Sequence, residues 1–320
     1  MKRRMLLLIV VVAMSITETY ASFCVDNLLF VIGLNGEARV TGFKSDVNLG
    51  IVTIPSVVQY EGKTYDVTEI DDKAFSGCKT IEYVTIPVTV KSIGEGAFNG
   101  CEKLVYAEIE GLGLQEIGAW AFANSGLLAI SVPISVTKMD GNTFRNCTNL
   151  TTLVLGTGLT KIPAGMCRGC ESLISIHFPL NVTYIGDNAF QDCDLHTVEI
   201  PAKVTYIGWE VFKGNKNFTK VTSLIEEPYN ISSDNFEQVV YENTDLYVPV
   251  GTFELYQKKD GWKLFRNMKE VNENATGVSI TKSVTPKVVS QNSIDGRPST
   301  GKGLTVIRMN DGSTKKIVKH

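Results

Sequence analysis

Residues 81–103 read IEYVTIPVTVKSIGEGAFNGCEK: a β-prone run, a proline, an isoleucine–glycine pair and an Ala-Phe-x-x-Cys segment. The pattern returns every 22 or 23 residues, in segments that begin at Ile81, Leu104, Leu127, Leu150, Leu173, Leu195 and Phe218. An internal period of this length is typical of a solenoid. One such unit is too small to enclose a core, and stacked units bury their apolar side chains against each other.

Four columns of similar residues appear when the segments are aligned. An aliphatic column comprises Ile70, Ile93, Ile117, Met139, Ile162, Ile185 and Ile207. Five residues later lies a mostly aromatic column of Phe75, Phe98, Phe122, Phe144, Cys167, Phe190 and Phe212. Small, weakly polar residues follow three residues later, at Cys78, Cys101, Ser125, Cys147, Cys170, Cys193 and Asn215. The β-prone runs are followed by Pro87, Glu110, Pro133, Gly156, Pro179 and Pro201. These columns predict a continuous ladder of core side chains.

Each unit contains one clear strand candidate, of which residues 84–86 are the first. Strands of neighbouring coils are expected to stack in parallel, about 4.8 Å apart, with alternate residues facing solvent. The proline ends the pairing because it has no N–H. The second half of each unit is expected to turn at glycine and return as a short helical or irregular segment. An imperfect earlier unit covers about residues 51–80, with extra residues around Tyr60 to Tyr65.

Units of the form Leu-x-x-Val-x-Ile-Pro, then Val-x-x-Ile-Gly-x-x-Ala-Phe-x-x-Cys, resemble the leucine-rich repeats of the BspA-type bacterial surface proteins. The resemblance covers about residues 51–223 and is strongest at 81–103 and 173–194. It departs from the pattern at 104–126 and at 150–172, where Met-Cys replaces Ala-Phe. The predicted fold is an α/β, β-rich solenoid: about seven coils of 22–24 residues with a parallel sheet on one face, plus a small C-terminal β module.

The N-terminus has the order of a secretory signal peptide. Lys2, Arg3 and Arg4 precede an apolar run over residues 5–16, and cleavage is expected near Ala21. An alternative is a lipoprotein acylated at Cys24, although the bulky Phe23 stands where a small residue is required. The protein is therefore expected to be secreted or located at the cell surface, outside the outer membrane.

The ends of the array differ from its middle in period and charge. Residues 224–271 leave the period, and there a last strand at 245–249 followed by a short helix is expected to cover the core. Residues 277–320 carry eight lysine or arginine residues against two aspartates, with a hairpin turn signal at 310–313. The predicted divisions are 1–21 signal peptide, 22–50 N-terminal cap, 51–223 solenoid, 224–271 C-terminal cap, 272–276 linker and 277–320 tail.

The basic tail is similar to C-terminal modules of exported proteins in the same bacterial group. Some of those modules are type IX secretion sorting signals, so the resemblance implies anchoring at the cell surface. No other association with a membrane is expected. The alternative is a β-rich basic tail that docks on the acidic body, residues 22–276, which carry a net charge of −11.

Composition and motifs argue against several classes of function. The formal net charge of −3 and the pI of about 5.8 do not suit a nucleic-acid binder. The chain has three histidines and none of the common nucleophile, zinc-protease or phosphate-loop motifs, so no catalytic residue is predicted. Cys167 and Cys170 form a lone Cys-x-x-Cys pair without the further ligands that zinc needs. No metal and no cofactor are expected.

The cysteine column allows two interpretations. Export permits disulfides, and adjacent coils would bring the Cα atoms within disulfide range. Parallel side chains in a ladder, however, leave the Cβ atoms about 4.8 Å apart, farther than the usual value of about 3.8 Å. Buried free thiols that pack as small apolar groups are therefore favoured.

The outward strand positions are the predicted binding surface. They are Tyr83, Thr85, Tyr106, Glu108, Ser131, Thr152, Ser175, His177, Thr197 and Glu199, with Ala129 and Val154 in the same rows. Tyrosine combines contact area with a polar tip, so an extracellular protein or glycan partner is expected. Alternatively, these residues only solvate the sheet, because threonine and tyrosine are good strand formers.

Resemblance to the BspA-type proteins implies protein–protein binding or adhesion to host matrix or other cells. The alternatives are a non-catalytic glycan-binding or envelope accessory protein, and a structural spacer without a specific ligand. Periodicity alone does not choose among these functions, because function resides in sites and not in folds.

Overall fold

The computed structural model describes residues 22–45, 47–271, 288–293, 303–309 and 314–319. The chain divides into two units, residues 1–271 and 272–320. The predicted signal peptide (1–21) and linker (272–276) lie outside the described residues, as does the predicted hairpin turn at 310–313.

The first unit begins with an antiparallel meander of three strands. These are β1 (Ser22–Val25), β2 (Leu28–Ile32) and β3 (Ala38–Phe43). The buried Leu28 and Phe30 alternate with more exposed neighbours, which fixes the face that β2 turns to the core. Strand β3 then pairs in parallel with a later strand and so connects the meander to the coils.

The imperfect unit contains a hairpin. The strands of this unit are β4 (Ile51–Thr53), β5 (Val57–Tyr60) and β6 (Lys63–Ile70). Strands β5 and β6 pair antiparallel and form the hairpin. The turn places Glu61 and Gly62 at φ of 48° and 76°, a left-handed conformation that glycine adopts without strain. The extra residues around Tyr60 to Tyr65 therefore form the tip of this hairpin.

Two short strands per coil follow, one from each half of the unit. They are β7 (Tyr83–Ile86), β8 (Ser92–Ile93), β9 (Tyr106–Ile109), β10 (Glu116–Ile117), β11 (Ala129–Ser131), β12 (Lys138–Met139), β13 (Thr152–Val154), β14 (Lys161–Ile162), β15 (Ser175–Ile176), β16 (Tyr184–Ile185), β17 (Thr197–Ile200), β18 (Tyr206–Ile207) and β19 (Lys220–Ser223). The sequence predicted only the first strand of each pair. The return half contains a two-residue strand that was not predicted, whose backbone pairs with the neighbouring coil while its aliphatic residue faces the core. The residues after this strand form irregular turns, which agrees with the expected turn at glycine followed by an irregular segment.

The last part of the first unit continues the sheet. It contains α1 (Gln238–Asn243), β20 (Asp245–Pro249), α2 (Phe253–Tyr256) and β21 (Asn267–Val271), with 3₁₀ turns at Ser233–Asn235 and Trp262–Leu264. Strand β20 pairs in parallel with β19 and with β21. The strand at 245–249 was predicted to be the last; β21 follows it, so the array is longer than seven coils and has about nine turns.

Two faces of the solenoid are thus parallel sheets. The strand face comprises β4, β7, β9, β11 and β13, followed by β15, β17, β19, β20 and β21. The short-strand face comprises β6, β8, β10 and β12, followed by β14, β16 and β18. The register advances by one repeat, as in Tyr83 opposite Tyr106, so equivalent residues of successive coils lie side by side.

A third ladder connects the turns that carry the aromatic column. The N–H of Phe75 donates to the Ala97 carbonyl at 2.8 Å, and the N–H of Phe98 donates to the Ala121 carbonyl at 2.7 Å. Equivalent bonds run on to Phe212, which donates to Asn235 at 3.1 Å. We call these bonds the turn ladder; it is continuous even where both sheets are interrupted beside coil 150–172.

The aromatic column forms a stack inside the coils, as predicted. The ring centroids of Phe75 and Phe98 are 5.0 Å apart, those of Phe98 and Phe122 5.2 Å, and those of Phe122 and Phe144 5.8 Å, with interplanar angles of 17° or less. Cys167 interrupts the stack, which resumes between Phe190 and Phe212. All these rings are fully buried, so the predicted solenoid core is confirmed.

All seven cysteines are free thiols, as favoured above, and six of them are buried. The Sγ–H of Cys101 donates to the Phe75 carbonyl, that of Cys147 to Phe122 and that of Cys170 to Phe144, each at 3.1 Å. The column thus provides a weak donor for a carbonyl of the preceding coil. At its end Asn215 takes over this role, donating to the Phe190 carbonyl at 2.8 Å.

In the second unit, the described residues form a three-stranded antiparallel sheet. Its strands are β22 (Val288–Ser293), β23 (Gly303–Met309) and β24 (Thr314–Lys319). Strand β23 pairs with both neighbours, and Arg308 lies opposite Thr314. The predicted small β module is therefore present.

Candidate functional site

The ten predicted binding residues all lie on or directly beside strands of the strand face, and none of them is buried. The interruption between β13 and β15 divides them into two groups, the first from Tyr83 to Thr152 and the second from Ser175 to Glu199. Ala129, expected to face solvent in the same row, is buried instead: its small methyl group lies between the longer side chains of Tyr106 and Thr152, its neighbours in register.

The structure brings three of the ten into a defined cluster. The rings of Tyr83 and Tyr106 lie 5.2 Å apart at an angle of 33°, on adjacent strands. The Tyr83 hydroxyl donates a hydrogen bond to Glu108 Oε2. Burial and this carboxylate raise the pKa of Tyr83, and burial raises that of Tyr106, so both phenols are neutral donors at physiological pH.

Exposed aliphatic residues form two repeated rows, one before and one after the strands of the strand face. Val105, Leu128 and Ile174 occupy the position before each strand, and each is more than 40% exposed. Val88, Ile134 and Leu180 occupy the position after each proline and are at least 50% exposed. Sequence reasoning missed both rows, although their repetition one period apart is visible in the alignment.

A second aromatic group lies on the short-strand face and was also missed. Tyr184 and Tyr206 occupy equivalent positions on β16 and β18, and their rings stack at 4.7 Å with an angle of 6°. Three residues after Tyr206, Trp209 is 71% exposed. The available signal was the residue before the aliphatic column, which becomes aromatic in the last two repeats.

A cleft of about 460 Å³ opens beside Trp209. We call it the Trp209 cleft; its other lining residues are Asp187, Asn188, Glu210, Ser232 and Asp234. The backbone N–H of Trp209 donates to Asp187 Oδ1 at 2.9 Å, and Asn188 Nδ2 donates to Glu210 Oε2 at 3.0 Å. A hydrogen bond from Lys213 holds the pKa of Glu210 below its usual value.

A smaller cleft of about 300 Å³ lies on the same face near the N-terminal end. Glu69, Asp72, Glu95 and Glu116 contribute to its lining. Burial raises the pKa of Glu69, and the carboxylate of Asp71 adds to this effect. Among the described residues, no group of three or more His, Cys, Asp and Glu side chains is arranged to hold a metal ion.

The fold and its repeated surface rows define a solenoid of the leucine-rich repeat class. The BspA type leucine rich repeat region matches in six copies, over residues 68–196, 159–254 and 183–283. These matches extend over more than half of the chain, and the chain belongs to the BspA-type leucine-rich repeat family. None of the curated proteins matches it.

Solved structures with the same fold include two bacterial proteins. A leucine rich cell surface protein from Faecalibacterium prausnitzii is 25% identical with a TM-score of 0.59, and the alignment covers 72% of this chain and 70% of that one. A leucine rich repeat protein from T. pallidum is 27% identical with a TM-score of 0.53, covering 62% and 91% respectively. In the part of the chain that the structure describes, no helix has the length and apolar character needed to cross a membrane.

Proposed function

We propose that this protein is exported to the cell surface and binds other proteins there, in adhesion to host matrix or to other cells, without catalysis. The similar protein from Faecalibacterium prausnitzii is a cell surface protein, and the N-terminal sequence has the order of a signal peptide. A stacked array presents a long, regular surface, which is how repeat proteins bind their partners.

One observation carries the proposal: the cluster of Tyr83, Tyr106 and Glu108 on the strand face. The two rings are held against each other on adjacent strands, and the hydrogen bond to Glu108 fixes Tyr83. Rigid aromatic side chains lose little entropy on binding, and tyrosine is enriched among the residues that dominate interface energies. The bordering aliphatic residues, such as Val105 and Leu128, extend the contact area.

The test is binding of the full chain to purified extracellular matrix proteins and to whole bacterial cells. The double variant Tyr83→Ala, Tyr106→Ala is expected to bind at least about tenfold more weakly, a loss of about 1.4 kcal/mol. The matched control is Tyr184→Ala, Tyr206→Ala, which removes a stacked tyrosine pair from the other face and is expected to leave binding unchanged. Equal binding by wild type and the tyrosine variant, with unchanged circular dichroism, would sink the assignment of this cluster.

Export and anchoring are tested separately. Sequencing the N-terminus of the exported protein is expected to show cleavage near Ala21, whereas a blocked, acylated Cys24 would identify a lipoprotein. Removal of residues 277–320 is expected to release the protein from the cell surface into the medium. Unchanged surface retention would contradict a sorting role for the tail and favour the alternative in which it docks on the acidic body.

A further inference from the structure

Trp209 has the most exposed aromatic ring of the solenoid, and this ring lines a cleft. Its side chain is 71% exposed, whereas Trp262 is fully buried and Trp120 lies under the guanidinium of Arg145, 5.2 Å from the ring centroid. Packing within the coils therefore does not explain why a tryptophan occupies position 209. From the Trp209 cleft, we propose that this protein has a binding site for a neutral saccharide.

The cleft is built on rigid backbone. The Trp209 N–H donates to the Asp187 carboxylate, and the Trp209 carbonyl accepts from the N–H of Asn188 at 2.8 Å, as part of the turn ladder. Glu210 sits in the left-handed region at φ of 51°, and Asn188 at 55°, positions that the regular coil geometry imposes. A site held by backbone bonds between coils needs little reorganisation to bind a ligand.

The chemistry of the lining suits a sugar. An exposed indole offers an apolar ring face with negative electrostatic potential, against which the C–H groups of a pyranose ring can pack. Around it stand carboxylate, amide and hydroxyl groups of Asp187, Asn188, Ser232 and Asp234, which accept or donate hydrogen bonds to ring hydroxyls. Among the described residues that line the cleft, the indole is the one apolar surface, and the polar groups around it would fix the orientation of a bound sugar.

The charge of the lining excludes anionic ligands, and trilysine in the experiment below tests a cationic one. The carboxylates of Asp187 and Asp234 disfavour acidic sugars and other anions. Glu210 is already paired with Lys213 and bonded to Asn188, and one oxygen of Asp187 is occupied by the Trp209 N–H. Both oxygens of Glu210 are thus occupied, whereas the other oxygen of Asp187 and the carboxylate of Asp234 remain to accept hydrogen bonds from sugar hydroxyls.

The size and surroundings of the cleft agree with this ligand. Its volume of about 460 Å³ lies in the range of small-molecule sites. The stacked pair of Tyr184 and Tyr206 lies on the same short-strand face, so further sugar rings of an oligosaccharide would meet an aromatic surface. This site lies on a different face from the Tyr83 cluster, so the inference does not rest on the proposed function.

The experiment is a fluorescence titration of the full chain with cellotriose, maltotriose and trilysine. The chain has three tryptophans, and only Trp209 is strongly exposed, so a bound sugar is expected to shift its emission and shield it from acrylamide. Because Trp209→Ala removes the reporting indole, isothermal titration calorimetry measures the affinity of this variant, which is expected to be at least about tenfold lower for the bound trisaccharide. Asp234→Asn tests the polar contacts and is expected to weaken binding several-fold.

Trp120→Ala is the matched control, because it removes a tryptophan that already has a partner. It is expected to leave the affinity for the sugar unchanged. Binding of either trisaccharide that depends on Trp209 supports the proposal. Binding of trilysine alone, binding of sugar that survives Trp209→Ala, or the absence of any binding overturns it. Circular dichroism of each variant establishes that the coils remain folded.

Discussion

The two halves of the array, residues 51–149 and 173–271, have the same interior and different exteriors. In the first half the exposed tyrosine pair lies on the strand face, where the rings are tilted and Glu108 accepts a bond from Tyr83. In the second half the pair lies on the short-strand face, where the rings of Tyr184 and Tyr206 are nearly parallel. Coil 150–172 separates the halves, and both sheets are interrupted beside it.

The comparison shows that the inward-facing columns determine the structure of the coil, whereas the outward-facing residues can vary. Phe98 and Phe212, from opposite halves, are both fully buried in aromatic stacks, and the turn ladder passes through both halves. An outward substitution costs little stability, so each half can acquire its own surface chemistry without a change of fold. This independence allows the two proposed binding sites to lie on one solenoid.

The largest expected effect on both halves together comes from alkaline pH. Burial raises the pKa of Cys101 and Cys147 to about 12, and it raises the pKa of Cys167 and Cys193. Thiols of the unfolded chain ionise near pH 8.5, so above that pH the unfolded state binds fewer protons than the folded state. The free energy of unfolding is expected to fall by about 1.4 kcal/mol per buried thiol and pH unit, and the thiols contribute no pH dependence well below pH 8.

Urea unfolding between about pH 7 and pH 9.5, with a phosphine reductant present, measures this decline in the free energy of unfolding. The pH range stays below the usual pKa of tyrosine, so that tyrosine ionisation does not contribute. Cys147→Ala removes one buried thiol and is expected to reduce the slope of the free energy of unfolding against pH by the contribution of that thiol. The control is Cys24→Ser, which changes an exposed thiol and leaves the slope unaltered. Stability that stays constant to pH 9.5 would show that the column does not consist of buried free thiols.

Truncation of one stacked ring tests whether the interiors of the two halves are equivalent. Phe122→Ala and Phe190→Ala each remove a fully buried ring and leave a cavity, which is expected to cost about 4 kcal/mol in either half. Urea denaturation measures the loss, and Thr197→Ala, on the exposed sheet, serves as the control with a change within about 0.5 kcal/mol. A cost below about 1 kcal/mol for one ring would contradict the equivalence.

The small-residue column offers a finer comparison, because Cys147 and Asn215 occupy the same position in different halves. Asn215 donates to the Phe190 carbonyl and accepts from the Leu195 N–H, both at 2.8 Å, whereas Cys147 makes a weaker thiol bond. Asn215→Ala leaves buried backbone groups unpaired and is expected to cost about 3 kcal/mol, against about 1 kcal/mol for Cys147→Ala. Equal losses in thermal or urea unfolding would show that the amide bonds add nothing to the packing.

The interior was predictable from the sequence and the Trp209 cleft was not. The column of Phe98, Phe122 and Phe144 is readable because one contact is repeated in every coil. The return strands, such as Ser92–Ile93, are two residues long, too short to show an alternating pattern. The Trp209 cleft needs Ser232 and Asp234, which lie outside the period and reach the cleft only through the folding of residues 224–271.

Coil 150–172 provides the smallest expected effect and the sharpest test of what joins the halves. Gly118 donates its N–H to the Ile93 carbonyl at 2.8 Å, and Gly186 donates to Ile162 at 2.9 Å. Pro163 occupies the equivalent position and has no N–H, so it cannot make this bond to the preceding coil. This accounts for the interruption between β12 and β14, which the turn ladder bridges through Phe144 and Met166.

Pro163→Gly restores the missing N–H and is expected to extend the short-strand face across the interruption. The new hydrogen bond contributes about 1 kcal/mol, and the greater freedom of glycine in the unfolded chain offsets about as much, so the free energy of unfolding changes by less than about 0.5 kcal/mol. Hydrogen exchange measures the result: the amide of residue 163 should be protected as well as that of Gly186, its counterpart in the next coil. Rapid exchange at residue 163 beside a protected Gly186 would mean that the coil geometry, and not the missing N–H, keeps the two sheets apart.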